Sequence, residues 1–311
     1  MAVFRHTESL PAEARGGVVA IGNFDGVHRG HRAVLAEARA QAAALGTRPA
    51  ILTFEPHPRQ VFQPQAPPFR LSSLRTKARL LEAADMAHLF VRHFDSAFAK
   101  ITAEAFVTEI LLDQLAARHI VIGADFRFGH RRQGDAACLR DLAAPAGVGV
   151  SALAPVPDAQ GEVVSSSRIR AALSEGDVAS ATALLGRPWE VEGRVEPGTQ
   201  RGRTIGFPTA NLRLGDYLEP RHGIYAVRAG VDRGADTVWW DAVAYVGRRP
   251  VVAGEDVLLE VFVFDASPDL YGAHLRVQVI DFVRADASFD GLEALKAQIA
   301  QDCAAARRSL A

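Results

Sequence analysis

Apolar residues in the first half of the chain fall into short runs alternating with helical patterns. Gly17 to Ile21, Ala50 to Phe54, His88 to Phe94, His119 to Gly123 and Val148 to Pro155 are buried-type strands. Between them, Gly30 to Leu45, Ser73 to Ala84 and Ala103 to Leu115 carry helical periodicity, the last with Phe106, Ile110 and Leu111 on one stripe. Strands alternating with helices predict a parallel sheet with helices on both faces. Ligands of such sheets bind beyond the carboxyl ends of the strands, which places Gly22, Thr53 and Asp125 along one rim.

The second half has another rhythm. Trp189 to Val195, Gly223 to Ala229, Thr237 to Val246, Val257 to Phe264 and His274 to Val283 are strands separated by Gly, Pro and Asp turns. No long helix intervenes, so an antiparallel barrel is expected. A helix over Phe289 to Ser309 closes the chain, with Leu292, Leu295, Ile299 and Cys303 on one stripe. The fold class is thus α/β plus all-β. The change of rhythm near Leu185-Gly186 divides the chain into residues 1–185 and 186–311.

Composition narrows the function. The 311 residues carry 49% hydrophobic and 23% charged side chains, as globular domains do. A net charge of -1 gives no basic field for nucleic acid. No uncharged apolar run reaches the ~20 residues that span a bilayer, and the N-terminus lacks the apolar core of a signal peptide. Cys138 and Cys303 stand far apart without metal-site spacing, which suits a reducing cytoplasm.

Gly22 to His31 reads GNFDGVHRGH, directly after a strand and opening a helix. Glycines at 22, 26 and 30 admit close approach of a ligand, and the helix start offers free N–H groups to phosphate. His28 and His31 can donate hydrogen bonds to phosphate oxygens as charge shifts during transfer. A zinc site there lacks a third ligand nearby. Ser165 to Arg170 (SSSRIR) also opens a helix. One serine suits an N-cap, while Arg168 and Arg170 beside the helix start make an anion site. In GADFRFGHRRQGD, Phe126 and Phe128 either fill core or face a planar ring. In TFEPHP, Pro56 and Pro58 force a turn around His57.

These four motifs, in this order, resemble the FMN adenylyltransferase module of bacterial bifunctional riboflavin kinase/FAD synthetases, whose HxGH signature matches His28 to His31. The resemblance implies a Rossmann-like nucleotidyltransferase domain. It assigns ATP to Gly22, Asn23, Phe24, Asp25, Gly30, Asp125, Ser165, Ser166, Ser167, Arg168 and Arg170, and flavin to His57, Phe126 and Phe128.

Gly202 to Leu212 reads GRTIGFPTANL, a loop after the first barrel strand. Thr209 and Asn211 offer hard oxygen donors of the kind Mg²⁺ accepts, although an ordinary turn would use the same residues. Glu260 is the single carboxylate in VLLEVFVF, on the face of Leu258, Phe262 and Phe264. Either it marks a strand end at the surface, or it is a buried carboxylate whose raised proton affinity suits a general base. GxPTAN and LEVFVFDASPDLYG resemble the riboflavin kinase motifs. That implies a six-stranded-type barrel in which Gly202, Arg203, Thr209 and Asn211 bind Mg²⁺–ATP. Glu260 would activate the riboflavin hydroxyl, and Arg284 would meet the flavin phosphate. The chain departs from the family at AYVGRRPVV, where Tyr245 stands for Asn and Val251 for Thr.

The resemblance therefore implies catalysis by Glu260, His28 and His31, with Mg²⁺ as cofactor, ATP as co-substrate and FMN and FAD as products. Riboflavin, FMN and ATP are the small-molecule partners, with no nucleic acid or membrane, in a monomer or weak homo-oligomer. Two rivals are an adenylyltransferase with an impaired kinase half and a non-catalytic flavin- or nucleotide-binding protein.

Overall fold

The computed structural model describes residues 1–7, 9–196, 206–251, 254–266, 268 and 270–311. The chain forms two compact units. One comprises Met1–Ala66 with Lys77–Val164, the other Pro67–Thr76 with Ser165–Ala311.

The first unit is built on a parallel sheet of β1 (Ala2–Phe4), β2 (Val18–Ile21), β3 (Pro49–Glu55), β4 (His88–His93), β5 (His119–Gly123) and β6 (Gly149–Leu153). The spatial order is β1-β4-β3-β2-β5-β6, so the winding reverses at β2. All pairings are parallel. β2 is buried at all four positions, as a central strand covered on both faces must be. Around the sheet lie α1 (Arg29–Ala44), α2 (Pro58–Phe62), α3 (Leu74–Glu82), α4 (Ala103–Ala105) and α5 (Ala136–Ala143). The helix expected over Ala103 to Leu115 starts as α4 and continues as a π-helix over Phe106–Gln114, where Leu115 N–H reaches the Ile110 carbonyl. Its stripe is as expected: Phe106, Ile110 and Leu111 join Val19, Ile21, Leu52, Ile120 and Ile122 in one core. The short strand β1 and helix α5 carry no strong periodicity and went unread in the sequence.

After segment 67–76, the second unit continues with α6 (Ser166–Glu175) and α7 (Val178–Leu185). Six antiparallel strands follow: β7 (Trp189–Arg194), β8 (Ala210–Arg213), β9 (Gly223–Val231), β10 (Trp240–Val251), β11 (Gly254–Val263) and β12 (His274–Ala285). Their order is β7-β12-β9-β10-β11-β8, and a bridge between Glu196 and Asn211 nearly closes the barrel. The Trp189 indole donates to the Leu71 carbonyl at 2.9 Å, which ties segment 67–76 to the barrel wall. β8 is a correction: the sequence reads this stretch as loop, yet Ala210–Arg213 pairs with β11 over four residues. Its alternation is only four residues long, too short to stand out beside the Gly and Pro before it.

The terminal helix α8 (Leu292–Leu310) covers one barrel face. Ala306 and Leu310 pack with Ala226, Val243 and Phe264, joined by Cys303. The expected stripe needs correction at its start, because Leu292 is 52% exposed. The contact face runs instead toward Asp302, Ala306 and Leu310.

Candidate functional site

Two constellations emerge, one in each unit. In the first, β2 ends at Ile21 and the chain turns through Gly22–Val27 into α1. The turn is tight: Phe24 has φ 48°, Gly26 φ 81° and Val27 φ 42°. Two non-glycine residues in the left-handed region mark stored strain, of the sort found where a loop is shaped for a ligand. Burial of Phe24, Asp25 and Val27 holds the loop in place.

His28 caps α1. Its Nδ1 accepts the His31 N–H at 3.3 Å, which leaves the proton of the neutral ring on Nε2, a donor. The rings of His28 and His31 stack with centroids 3.7 Å apart, and Phe24 lies 5.2 Å from His31. Gly30 makes this possible: a Cβ there would sit 3.1 Å from the His28 ring. Two imidazoles at a helix start suit an anion whose charge shifts.

Gly22 directly follows β2 and Asp125 lies two residues past the end of β5, as expected. Thr53 instead lies within β3, and its hydroxyl donates to the Asn23 carbonyl at 3.2 Å. Lys77 stands behind it, with Nζ 3.4 Å from Thr53 Oγ1 and 2.9 Å from Glu55 Oε1. The sequence reading missed Lys77. Its rarity was the available signal, since the chain holds lysine only at 77, 100 and 296.

Local structure separates the open readings for the aromatic and imidazole candidates. Phe128 is buried in the core, 5.3 Å from Phe106. Phe126 stacks on Phe128 and stays partly exposed, while Asp125 is exposed. His57 caps α2: its Nδ1 accepts the Arg59 N–H at 3.1 Å, and Gln60 completes a capping box.

Ser165, Ser166, Ser167, Arg168 and Arg170 belong to the second unit. Ser165 is the N-cap of α6, and its hydroxyl accepts the Arg168 N–H at 3.3 Å. Arg170 donates through Nε to the Phe69 carbonyl at 2.8 Å and lies over the Phe69 ring.

The barrel holds the second constellation. Residues directly opposite in an antiparallel pair present side chains to the same face. Asn211 on β8 pairs with Glu260 on β11, Glu260 with Tyr245 on β10, and Tyr245 with Ile224 on β9. Ile224 pairs in turn with Arg284 on β12, across a bulge. One row thus crosses five strands and joins Asn211, Glu260 and Arg284, which the sequence separates by up to 73 residues (284 − 211). Leu259, Val261 and Val263 point to the closed side, so Glu260 shares its half-buried face with Leu258 and Phe262. Glu260 therefore departs from both expectations: it is not at a strand end, and it is half-buried, not enclosed. Glu260 lies well inside β11 with partners on both sides.

Thr209 sits in the loop just before β8, whereas Asn211 lies on the strand itself. Gly202 and Arg203 lie outside the described residues, as does Asp269 of the DLYG stretch. Arg284 reaches α8, where Nε and Nη2 each meet an Asp302 oxygen at 2.7 Å. These hydrogen bonds raise the Arg284 pKa further above its ordinary value. Gln298 also donates to Asp302 at 2.9 Å. Burial, with help from Asp302, pushes the neighbouring Cys303 thiol up to about 11, so it stays protonated. Asp302 was missed because a single acid on a helix reads as a solvated position. Tyr245 Oη donates to Asp286 at 2.9 Å.

The comparisons with known proteins match both halves. Residues 10–168 match the FAD synthetase family and residues 185–310 the riboflavin kinase family. The bifunctional riboflavin kinase/FMN adenylyltransferase of Escherichia coli K12 is 38% identical over 296 residues, covering 95% of this chain and 93% of that protein. Proteins of the same name from Haemophilus influenzae and Pseudomonas fluorescens are 38% and 39% identical over 308 residues. Each comparison covers 99% of this chain, with 98% and 97% of the relatives. A crystal structure from Streptococcus pneumoniae, described as a macrolide-efflux protein, superimposes with a TM-score of 0.84 at 31% identity, over 98% of both chains. In the present chain, no helix among the described residues is long and apolar enough to cross a membrane.

Proposed function

This chain belongs to the bifunctional riboflavin kinase/FMN adenylyltransferase family, and from that premise we propose that it phosphorylates riboflavin to FMN and then adenylylates FMN to FAD. The observation that carries the kinase half is the row in which Glu260 faces Asn211 directly across β8 and β11. Residues 1–185 serve as the adenylyltransferase domain and 186–311 as the kinase domain. The two free cysteines suit a reducing cytoplasm.

In the kinase reaction, Glu260 takes the proton of the terminal ribityl hydroxyl as its oxygen bonds to the γ-phosphorus of ATP. The bond from that phosphorus to the β-phosphate oxygen breaks, and ADP leaves. Thr209 and Asn211 offer neutral oxygens close to one carboxylate, a donor set that fits Mg²⁺ already shared with phosphate. The ion would supply charge neutralisation for the phosphates, while the side chains contribute chiefly positioning. Arg284 is the candidate for the flavin phosphate.

In the adenylyl transfer, an FMN phosphate oxygen bonds to the α-phosphorus of a second ATP. The bond to the β-phosphate oxygen breaks, and pyrophosphate leaves. His28, through Nε2–H, and His31 stabilise the charge that builds on phosphate oxygens. Gly22, Asn23, Phe24, Asp25 and Gly30 shape the loop for nucleotide. Ser165, Ser166, Ser167, Arg168 and Arg170 form a helix start suited to anionic oxygens. Phe126 and Asp125 are the accessible candidates for ring and polar contacts.

The test is product analysis with riboflavin and Mg²⁺–ATP. Wild-type chain should yield FMN and then FAD. Glu260→Gln should lower FMN formation by about 10²–10⁴-fold, the usual worth of a positioned general base. It should still convert added FMN to FAD. FMN formation unaffected by Glu260→Gln would reject the base assignment, and an absence of any product would leave only a binding protein.

A further inference from the structure

Tyr245 has a geometry that the reaction scheme above does not use. Its place in the row is between Glu260 on one side and Ile224, then Arg284, on the other. Its ring is fixed at two points. Along β10 it lies over Gly247: a Cβ there would overlap the Tyr245 oxygen, Cζ and Cε1. The ring therefore occupies space that any residue but glycine would fill. At its tip the hydroxyl donates to Asp286 at 2.9 Å, just past the end of β12. The residue is nonetheless only half-buried. A flat ring immobilised next to a general base, with part of its surface open, is a preorganised stacking platform: little conformational entropy remains to be lost when a ligand ring settles on it.

Resting on the kinase reading, we infer that Tyr245 is a specificity wall of the kinase site, stacking with the flavin ring of riboflavin so that the ribityl hydroxyl reaches Glu260. The choice of flavin over adenine follows from connectivity. Only a ribityl chain separates the flavin ring from the hydroxyl that Glu260 must touch. In ATP, ribose and a triphosphate separate adenine from the reacting phosphorus. Glu260 and Tyr245 are direct cross-strand neighbours, within the ~5 Å typical of such pairs. That spacing suits a ring and a hydroxyl belonging to the same substrate. The face is apolar on either side: Leu258 pairs with Gly247, and Ile224 with Tyr245. Nearby, Phe262 packs edge-on against Phe207 at 5.4 Å.

The experiment measures steady-state kinase kinetics, riboflavin binding by quenching of flavin fluorescence, and adenylylation of added FMN as an internal control of folding. Tyr245→Ala should raise the KM for riboflavin about tenfold, the usual scale for a lost aromatic contact with its buried area. Riboflavin affinity should weaken in parallel, with the KM for ATP and the adenylylation rate within about twofold of wild type. Tyr245→Phe keeps the ring and should stay within about threefold of wild type, since it removes the hydroxyl that bonds Asp286 and leaves the ring face. Gly247→Ala should reproduce the riboflavin defect by displacing the ring. If Tyr245→Ala also depresses adenylylation, Tyr245→Leu, which fills the slot without a ring, decides by the same criteria. A rise confined to the KM for ATP, or unchanged riboflavin affinity in both ring-less variants, overturns the inference. Wild-type chain that binds riboflavin without making FMN would instead overturn the kinase reading, and the binding arm would still report on the ring.

Discussion

Replacing Lys77 with methionine tests how the α/β unit holds its Gly22–Val27 loop. The Lys77 side chain is 0% exposed and its partner Glu55 only 18%. Nζ donates to Glu55 at 2.9 Å and lies 3.4 Å from Thr53 Oγ1, which in turn donates to the Asn23 carbonyl of the loop. Removing one member of a buried ion pair costs ~3–5 kcal/mol, because the other charge stays desolvated. Glu55 can turn partly toward water, which brings the expected loss to about 2–3 kcal/mol. Methionine nearly matches the lysine stem in volume, so the cavity contribution is small. A loss of that size lowers Tm by roughly 5–10 °C. Thermal and urea unfolding of Lys77→Met, Glu55→Gln and the double variant would measure it. The double variant should recover at least ~1 kcal/mol relative to Lys77→Met, since no carboxylate is then stranded. FAD formation from added FMN should fall more than FMN formation from riboflavin, because the Thr53–Asn23 contact lies on the first unit's loop. A loss under ~1 kcal/mol, or a double variant no more stable than Lys77→Met, would refute the reasoning.

Three further outcomes are expected. His28→Ala should cut FMN adenylylation by ~10²–10³-fold, the scale of one lost transition-state donor, while FMN formation persists; equal losses in both reactions would count against the assignment. Asp302→Ala frees Arg284 from the pair of 2.7 Å contacts, and kinase kcat/KM should drop about tenfold through loss of positioning; unchanged kinetics would show that Arg284 needs no such support. His88 and His119 both have imidazole pKa values below 6.5, in each case chiefly through burial, with Arg48 adding to the effect at His88 and Glu37 opposing it at His119. The unfolded chain takes up these protons near pH 6.5 while the folded chain resists, so stability is full above that pH and declines as pH falls through it. Urea midpoints at pH 7.5 and 5.5 should show the decline, and His88→Leu should flatten it; a profile unchanged in the variant would remove His88 as a source.

Much of the molecule was legible in the sequence because its signals are local. The parallel sheet followed from apolar runs alternating with helical stretches, and β2 through β6 fall within a residue or two of the strands expected. Glycine spacing and two histidines at a helix start marked the first constellation, since a helix N-terminus is a local electrostatic feature. The serine cap of α6 was equally readable, although only the backbone decides that Ser165, and not Ser167, accepts the hydrogen bond. Where local signals were weak, the reading failed: β8 is four residues long, and Leu292 begins a stripe that the helix does not bury.

What the sequence alone determined is which side chains bring chemistry: imidazoles beside a glycine turn, hydroxyl and amide oxygens near Thr209, and a lone carboxylate at Glu260. Tertiary structure decided which of them meet. The row Asn211–Glu260–Tyr245–Ile224–Arg284 exists because strand register aligns residues distant in the chain, and a slip of one residue would send each side chain to the opposite face. Lys77 became a support of the loop, and Phe128 became core, for the same reason. Burial and partnership belong to the packed fold, and no stretch of chain a few residues long contains them.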